Sequence, residues 1–200
     1  MRKTLLPAVV LLACACALAV TAAKTLAADG DPPQQPDAVA PVRAAEAVAR
    51  HAAAVKWLGG QIAAYQHVTW KWQRLMGLPL TESEGRTLSE MSIPDIEQAL
   101  GLWQRRAGAA RRAAVHPPHL RAWLCIHRYE GSWTDGGGPF YGGLQMDYGF
   151  MERYGGMLLR TKGTADNWSP LEQVWVAERA LQAGRGFYPW PKTARACGLI

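Results

Sequence analysis

Glu130 stands where a carboxyl group can do acid chemistry. Pro117-Pro118 opens a helix, along which Leu120, Trp123, His127 and Glu130 fall at i, i+3, i+7 and i+10, one continuous face that Gly131 stops. The carboxylate then lies in the final turn, where the negative end of the helix dipole and apolar neighbours both disfavour its charged form. A carboxyl that holds its proton near neutral pH is what a general acid requires. Beyond it lie Ser132-Trp133, the turn-rich Asp135-Gly136-Gly137-Gly138-Pro139, and Phe140-Tyr141-Gly142-Gly143-Leu144-Gln145-Met146-Asp147. Glycines that bracket an aromatic and an amide let the backbone and Gln145 approach a ligand closely.

Residues 117–200 hold five of the nine tryptophans and five of the six tyrosines, and ten of the twenty glycines fall between Gly131 and Gly163. Aromatic rings on a glycine-rich frame suit a sugar cleft, because the apolar faces of pyranose rings stack on them. The order Glu130, Trp133, Tyr141-Gly142-Gly143-Leu144-Gln145, Tyr154-Gly155-Gly156, Val176-Ala177-Glu178-Arg179 and Trp190-Pro191 resembles the catalytic domain of resuscitation-promoting factors, the transglycosylase-like branch of the lysozyme superfamily. The resemblance spans about residues 120–197, and Tyr-Gly-Gly-Leu-Gln after a helix-terminal Glu is its most specific element. It implies a small lysozyme-like α+β domain that cuts peptidoglycan strands between N-acetylmuramic acid and N-acetylglucosamine. Glu130 then matches the catalytic acid, Gln145 and Tyr141 match cleft positions, and Trp133 and Trp190 are expected to line the same cleft, with the Trp190-Pro191 segment also read as closing the domain and Cys197 as tying it back to the helix of Glu130. The chain departs from the family in the short Glu130-to-Trp133 spacing, in a cysteine five residues before the Glu instead of beside it, in Phe150 where threonine is usual, and in the extended Tyr188-Pro189-Trp190-Pro191.

Protonation of the glycosidic oxygen by Glu130 leaves two outcomes open. A hydrolase needs a second carboxylate as nucleophile or base, whereas a lytic transglycosylase lets the sugar's own C6 hydroxyl attack and makes a 1,6-anhydro end. Asp135, Asp147, Glu152 and Asp166 are available, and Asp147 is the best placed, because two residues beyond Gln145 it shares a face if the segment is a strand.

The elements that must position these groups read as mostly α, an α+β fold whose lysozyme-like C-terminal domain (117–200) follows an α-helical region (42–116). From about Ala44 to Met76, Val48, Val55, Ile62 and Met76 form one heptad row and Leu58, Tyr65 and Trp72 its neighbour. Gly59-Gly60 allows either a helical hairpin or one kinked helix. After a polar stretch from Leu78 to Glu90, Ser92 with Asp95 three residues on starts a second helix, with Pro94 in its first turn and Ile96, Leu100 and Trp103 on one face. Arg105, Arg106, Arg111 and Arg112 complement its C-terminal dipole. His116-Pro117-Pro118-His119 breaks it, and the proline pair keeps the two histidines from sharing a continuous helix, so no metal and no cofactor is expected. Ser169-Pro170-Leu171-Glu172 is a capping box for a helix running to about Leu181, on which Glu178 reads as a surface or helix-pairing charge.

The 200-residue chain opens on Arg2 and Lys3, an apolar run from Leu5 to Ala23 and small residues to Ala28, the order of a secretory signal peptide (1–28). An uncleaved anchor is the alternative; Cys14 resembles a lipidation site, but the apolar run continues past it. Residues 29–41 read as a flexible linker. Two of the four cysteines, Cys14 and Cys16, lie in the signal, leaving Cys125 and Cys197 to form one disulfide in an oxidising compartment. The formal charge of +6 falls to +3 without Arg2, Lys3 and Lys24, which suits an anionic cell wall but not nucleic acid. The expected setting is secreted and cell wall-associated, with peptidoglycan strands and other cell-wall hydrolases as partners, and with membrane contact only through an uncleaved signal. Two other readings are a peptidoglycan-binding or signalling module that kept the cleft, and an oligomerising helical region anchored by the C-terminal domain.

Overall fold

The computed structural model describes residues 40–83, 85 and 87–200; the signal segment and all but the last two residues of the linker lie outside the described residues. Residues 40–200 form one compact unit. Helix takes up 71% of it and strand 3%, so the fold is α+β and mostly α.

Helix α1 spans Ala40–Met76. It takes up Ala40 and Pro41, the end of the expected linker, because a proline in the first turn has no intrahelical donor to lose. Gly59-Gly60 leaves it unbroken, so the hairpin alternative falls away. The heptad seam buries from the middle onward: Leu58, Ile62 and Met76 are buried, whereas Val48 is 70% exposed. Thr69 continues the Ile62–Met76 row; it is buried, with its hydroxyl donated to the Tyr65 carbonyl at 2.8 Å.

The polar stretch after α1 runs back along it. Trp70 donates its indole N–H to the Thr81 carbonyl at 2.8 Å, and the Gln73 amide both donates to Thr81 Oγ1 at 2.7 Å and accepts from Thr81 N at 3.0 Å. Farther back, Leu88 packs so close to Gly59 that a Cβ there would meet Leu88 Cδ1 at 2.9 Å. Helix α2, Ile93–Ala114, therefore runs parallel to α1: Ile96 and Trp103 cluster with Leu58 and Ile62, Trp103 meets Trp70 edge-on at 6.2 Å, and Ala114 reaches Met76. Its start is as the sequence implies, with Ser92 Oγ accepting from Asp95 N at 3.3 Å. None of the described helices is long and apolar enough to cross a membrane.

Four α-helices and two short strands follow among the described residues. They are α3 (Leu120–Glu130), the antiparallel pair β1 (Phe140–Tyr141) and β2 (Met146–Asp147), α4 (Tyr148–Lys162), α5 (Pro170–Ala180) and α6 (Pro191–Ala196). Trp123, Ile126, Leu144, Met151, Val176 and Trp190 are at the heart of their shared core. The helical region is docked on this core through α5: Trp175 is buried between Met76 and Ala114 and donates its indole N–H to the Ala114 carbonyl at 2.7 Å.

The α5 start has the full capping box, Ser169 Oγ accepting from Glu172 N and the Glu172 carboxylate accepting from Ser169 N at 2.8 Å. Lys162 adds an ion pair to Glu172 at 2.7 Å. Burial opposes ionisation of this carboxyl, but hydrogen bonds from Lys162 and Ser169 outweigh it and hold it below its ordinary 4.5. The folded carboxyl thus gives up its proton more readily than the unfolded one. Its contribution is complete above the ordinary glutamate range and is lost as pH falls through the lowered value. Urea midpoints measured from neutral to acid pH should fall less steeply in Glu172→Gln than in the wild type.

Candidate active site

Helix α3 is fixed at both ends and along its side. At its start the carboxylate of Glu178, on α5, accepts from His119 N at 2.8 Å and from Trp123 Nε1 at 3.0 Å, with His119 Nδ1 at 3.1 Å from the other oxygen. Of the two expectations for Glu178, the surface charge falls away and helix pairing holds: it is wholly buried, and it caps α3 from another helix because His119 offers no capping side chain of its own. Pro117-Pro118 accordingly precede the helix, which begins at Leu120.

Along its length, Cys125 is joined to Cys197, with the two Cα atoms 6.0 Å apart, so α3 and the C-terminal end of α6 are covalently tied. The bridge closes a separation of 72 residues, which in the chain-entropy account stabilises by about 4 kcal/mol. Cys125→Ser/Cys197→Ser should accordingly lower the unfolding free energy measured by urea denaturation by that order.

At the C-terminal end of α3, Glu130 is half-buried and accepts a hydrogen bond from Thr193 Oγ1, on α6, at 2.7 Å. The same hydroxyl lies 3.2 Å from the Trp190 carbonyl. Thr193 can therefore donate a hydrogen bond to an ionised Glu130, or accept one from the protonated carboxyl while turning its own hydrogen to the Trp190 carbonyl. Both protonation states of the carboxyl have a partner, which is the property an acid needs to cycle.

The loop after Glu130 folds back to the same place. Asp135 accepts from Gly142 N through its carbonyl at 2.7 Å, from Gly137 N through Oδ1 at 3.1 Å and from Gln145 Nε2 through Oδ2 at 3.1 Å. A Cβ on Gly131 would fall 3.4 Å from Asp135 Oδ2 and 3.5 Å from Gln145 Nε2, so this carboxylate–amide pair lies against the residue that follows Glu130. Gln145 holds φ at +46°, a left-handed turn position, and its amide also donates to the Gly142 carbonyl at 2.9 Å.

Trp133 stacks on His127 with ring centroids 3.9 Å apart, and His127 Nδ1 lies 3.1 Å from the Gly143 carbonyl. Gly143 is required by close approach, since a Cβ would come within 2.6 Å of His127 Nδ1 and 2.7 Å of the Trp133 ring. Tyr141 is half-buried in β1, its hydroxyl end against Gly138.

The loop from Gly131 to Gln145 therefore closes on the residue after Glu130: the Gln145 amide lies against Gly131, the Tyr141 hydroxyl against Gly138 and the Trp133 ring against Gly143. Two expected cleft residues do not present themselves there. Trp190 is 4% exposed, packed on Trp123 and Phe150 with its indole N–H donated to the Leu144 carbonyl, so its faces are taken up by core contacts. Asp147 is exposed and caps α4, accepting from Phe150 N at 2.7 Å. Because Gln145 is in a turn outside β2, strand alternation does not bring Asp147 onto its face; Asp135 is the acid that meets Gln145.

Gln173 was not singled out from sequence, yet it holds the loop in place. Wholly buried on α5, its Oε1 accepts from Gly143 N at 2.8 Å, and its Nε2 donates to the carbonyls of Trp133 and Ala165, each at 2.8 Å. An amide directly before the apolar run Val174-Trp175-Val176-Ala177 was the available signal. Among the described residues, no three His, Cys, Asp or Glu side chains are grouped to hold a metal ion.

Comparison of the chain with family models, with curated proteins and with solved structures gives no match.

Proposed function

We propose that this protein is a secreted, cell wall-associated enzyme that cleaves the β-1,4 bond between N-acetylmuramic acid and N-acetylglucosamine in peptidoglycan, with Glu130 as general acid. The observation that carries the reading is the half-buried Glu130 at the end of a helix clamped at start, side and finish, with a hydroxyl partner suited to either protonation state. The resemblance of Tyr141-Gly142-Gly143-Leu144-Gln145 after a helix-terminal Glu to the resuscitation-promoting factors supplies the substrate class.

The reaction begins with proton transfer from Glu130 to the glycosidic oxygen as positive charge develops at the sugar's anomeric carbon. In this reading Gln145 and Tyr141 contact the sugar's polar groups and Trp133 limits the cleft wall. Of the carboxylates near the acid, Asp135 already accepts from Gln145 and Gly137, and Asp147 caps a helix. Asp166, whose Oδ2 would lie 3.3 Å from a Cβ on Gly136, has a buried Oδ1 with no hydrogen-bond partner among the described residues and stays a candidate base for the hydrolase outcome; in the transglycosylase outcome the substrate's own C6 hydroxyl attacks and leaves 1,6-anhydro products.

Mass spectrometry of fragments released from purified peptidoglycan by the oxidised protein tests this. Anhydro-ended muropeptides that vanish with Glu130→Gln are the expected result. Reducing ends lost in the same variant would turn the reading toward a hydrolase and Asp166. No release by folded protein, or equal release by the variant, would replace it with the peptidoglycan-binding module.

A further inference from the structure

The helical region meets α4 and α5 on a face that Glu130 does not line. A cavity of ≈ 330 Å³ opens there, and Leu75, Met157 and Leu158 give it apolar walls. Gly156 also borders it; a Cβ at that position would meet only the end of the Arg160 side chain within 4 Å, so the helix wall is open on this side.

The charges around it are unbalanced. Lys71, Arg74 and Arg179 line the cavity against a single carboxylate, Glu172, which is paired with Lys162. Arg179 is half-buried: its Nε donates to the Tyr154 carbonyl at 2.6 Å and its Nη1 to the Leu75 carbonyl at the end of α1, and its stem fills the space beside Gly77. Two of its five N–H groups are thus used on carbonyls, and among the described residues it has no ion-pair partner. Burial without a counter-charge drives the guanidinium down to about 10. A half-buried fork of donors at the edge of a cavity is suited to an oxyanion.

We propose that this cavity binds the terminal carboxylate of a short peptide with small apolar side chains, the carboxylate on Arg179 with Arg74 and Lys71 at the rim. The volume is at the small end of ligand pockets, which fits a dipeptide-sized body. Glu172, held ionised, selects a monoanion over a phosphate dianion and offers an acceptor to the peptide's own N–H. The site stands independently of the glycan-cleavage reading.

Calorimetric titration of the full protein with N-acetyl-alanyl-alanine, in both the L,L and the D,D form, provides the test, with the corresponding carboxamide and inorganic phosphate as comparisons. The expected result is saturable binding of at least one free acid, weaker by about tenfold or more for its carboxamide, which lacks the charge. Arg74→Ala should weaken it several-fold. Arg179 also caps α1, so its replacement confounds binding with folding; Gly156→Leu instead fills the cavity while improving helix propensity. That variant should abolish binding at an unchanged or raised Tm. Absence of binding by both free acids, equal binding of the carboxamide or of phosphate, or undiminished binding by folded Gly156→Leu would each overturn the proposal.

Discussion

Glu178→Ala is expected to lower the unfolding free energy by about 3–5 kcal/mol, the range for removing one partner from a buried charged cluster. The carboxylate is wholly buried and accepts from a backbone N–H, an indole N–H and a facing imidazole nitrogen. Alanine would leave the His119 N–H and the Trp123 Nε1 donor without acceptors at a helix start, and would open a cavity beside the Trp123 ring. Glu178→Gln separates hydrogen bonding from charge. Its carbonyl oxygen can accept from His119 N and Trp123 Nε1, and its amide can donate to His119 Nδ1 in the matching tautomer, so a loss of only about 1–2 kcal/mol is expected. Urea denaturation of the oxidised protein measures both. A Glu178→Ala variant within about 0.5 kcal/mol of wild type would mean that the cluster contributes no more than an ordinary surface position.

Glu178 also marks the boundary of what the sequence could disclose. Ser92 with Asp95, and Ser169 with Glu172, were legible because a cap joins residues three apart and depends on nothing distant. The helix carrying Glu130 was legible from its 3.6-residue period and its glycine stop. Glu178, by contrast, meets residues 55 and 59 positions away, and no local pattern tells a carboxylate that caps a distant helix from one in water. Gln173 is the same case, reaching 30 and 40 residues back to Gly143 and Trp133.

Trp190 shows the reverse ambiguity. An aromatic among glycines and prolines suits a sugar wall and a domain core equally, and only the packing of Trp123 and Phe150 against it decides for the core. The parallel course of α2 was hidden for a related reason. Residues 78–90 are aperiodic in sequence, and the described part of the stretch returns along α1 through a few contacts, Thr81 with Trp70 and Gln73 and Leu88 with Gly59. The disulfide, in contrast, followed from counting cysteines once the signal segment was set aside.

Under the proposed function, Glu130→Gln is expected to reduce release of muropeptides by about 10²–10⁴-fold, the range for loss of a positioned general acid. Gln keeps the shape and can still accept from Thr193 Oγ1, so affinity for intact glycan strands should remain within a few-fold of wild type, measured by pull-down on insoluble peptidoglycan. Thr193 supplies the control for position. It touches Glu130 at 2.7 Å and not the substrate in this reading, so Thr193→Val should lower kcat with little change in KM, because the carboxyl loses the group that fixes its orientation. Thr193→Ser retains the hydroxyl and should restore most of the rate. A fall in kcat equal in the Ser and Val variants would show that the methyl group's packing, and not the hydrogen bond, supports the acid. Loss of binding together with activity in Glu130→Gln would place the residue's contribution in holding the glycan instead of in proton transfer.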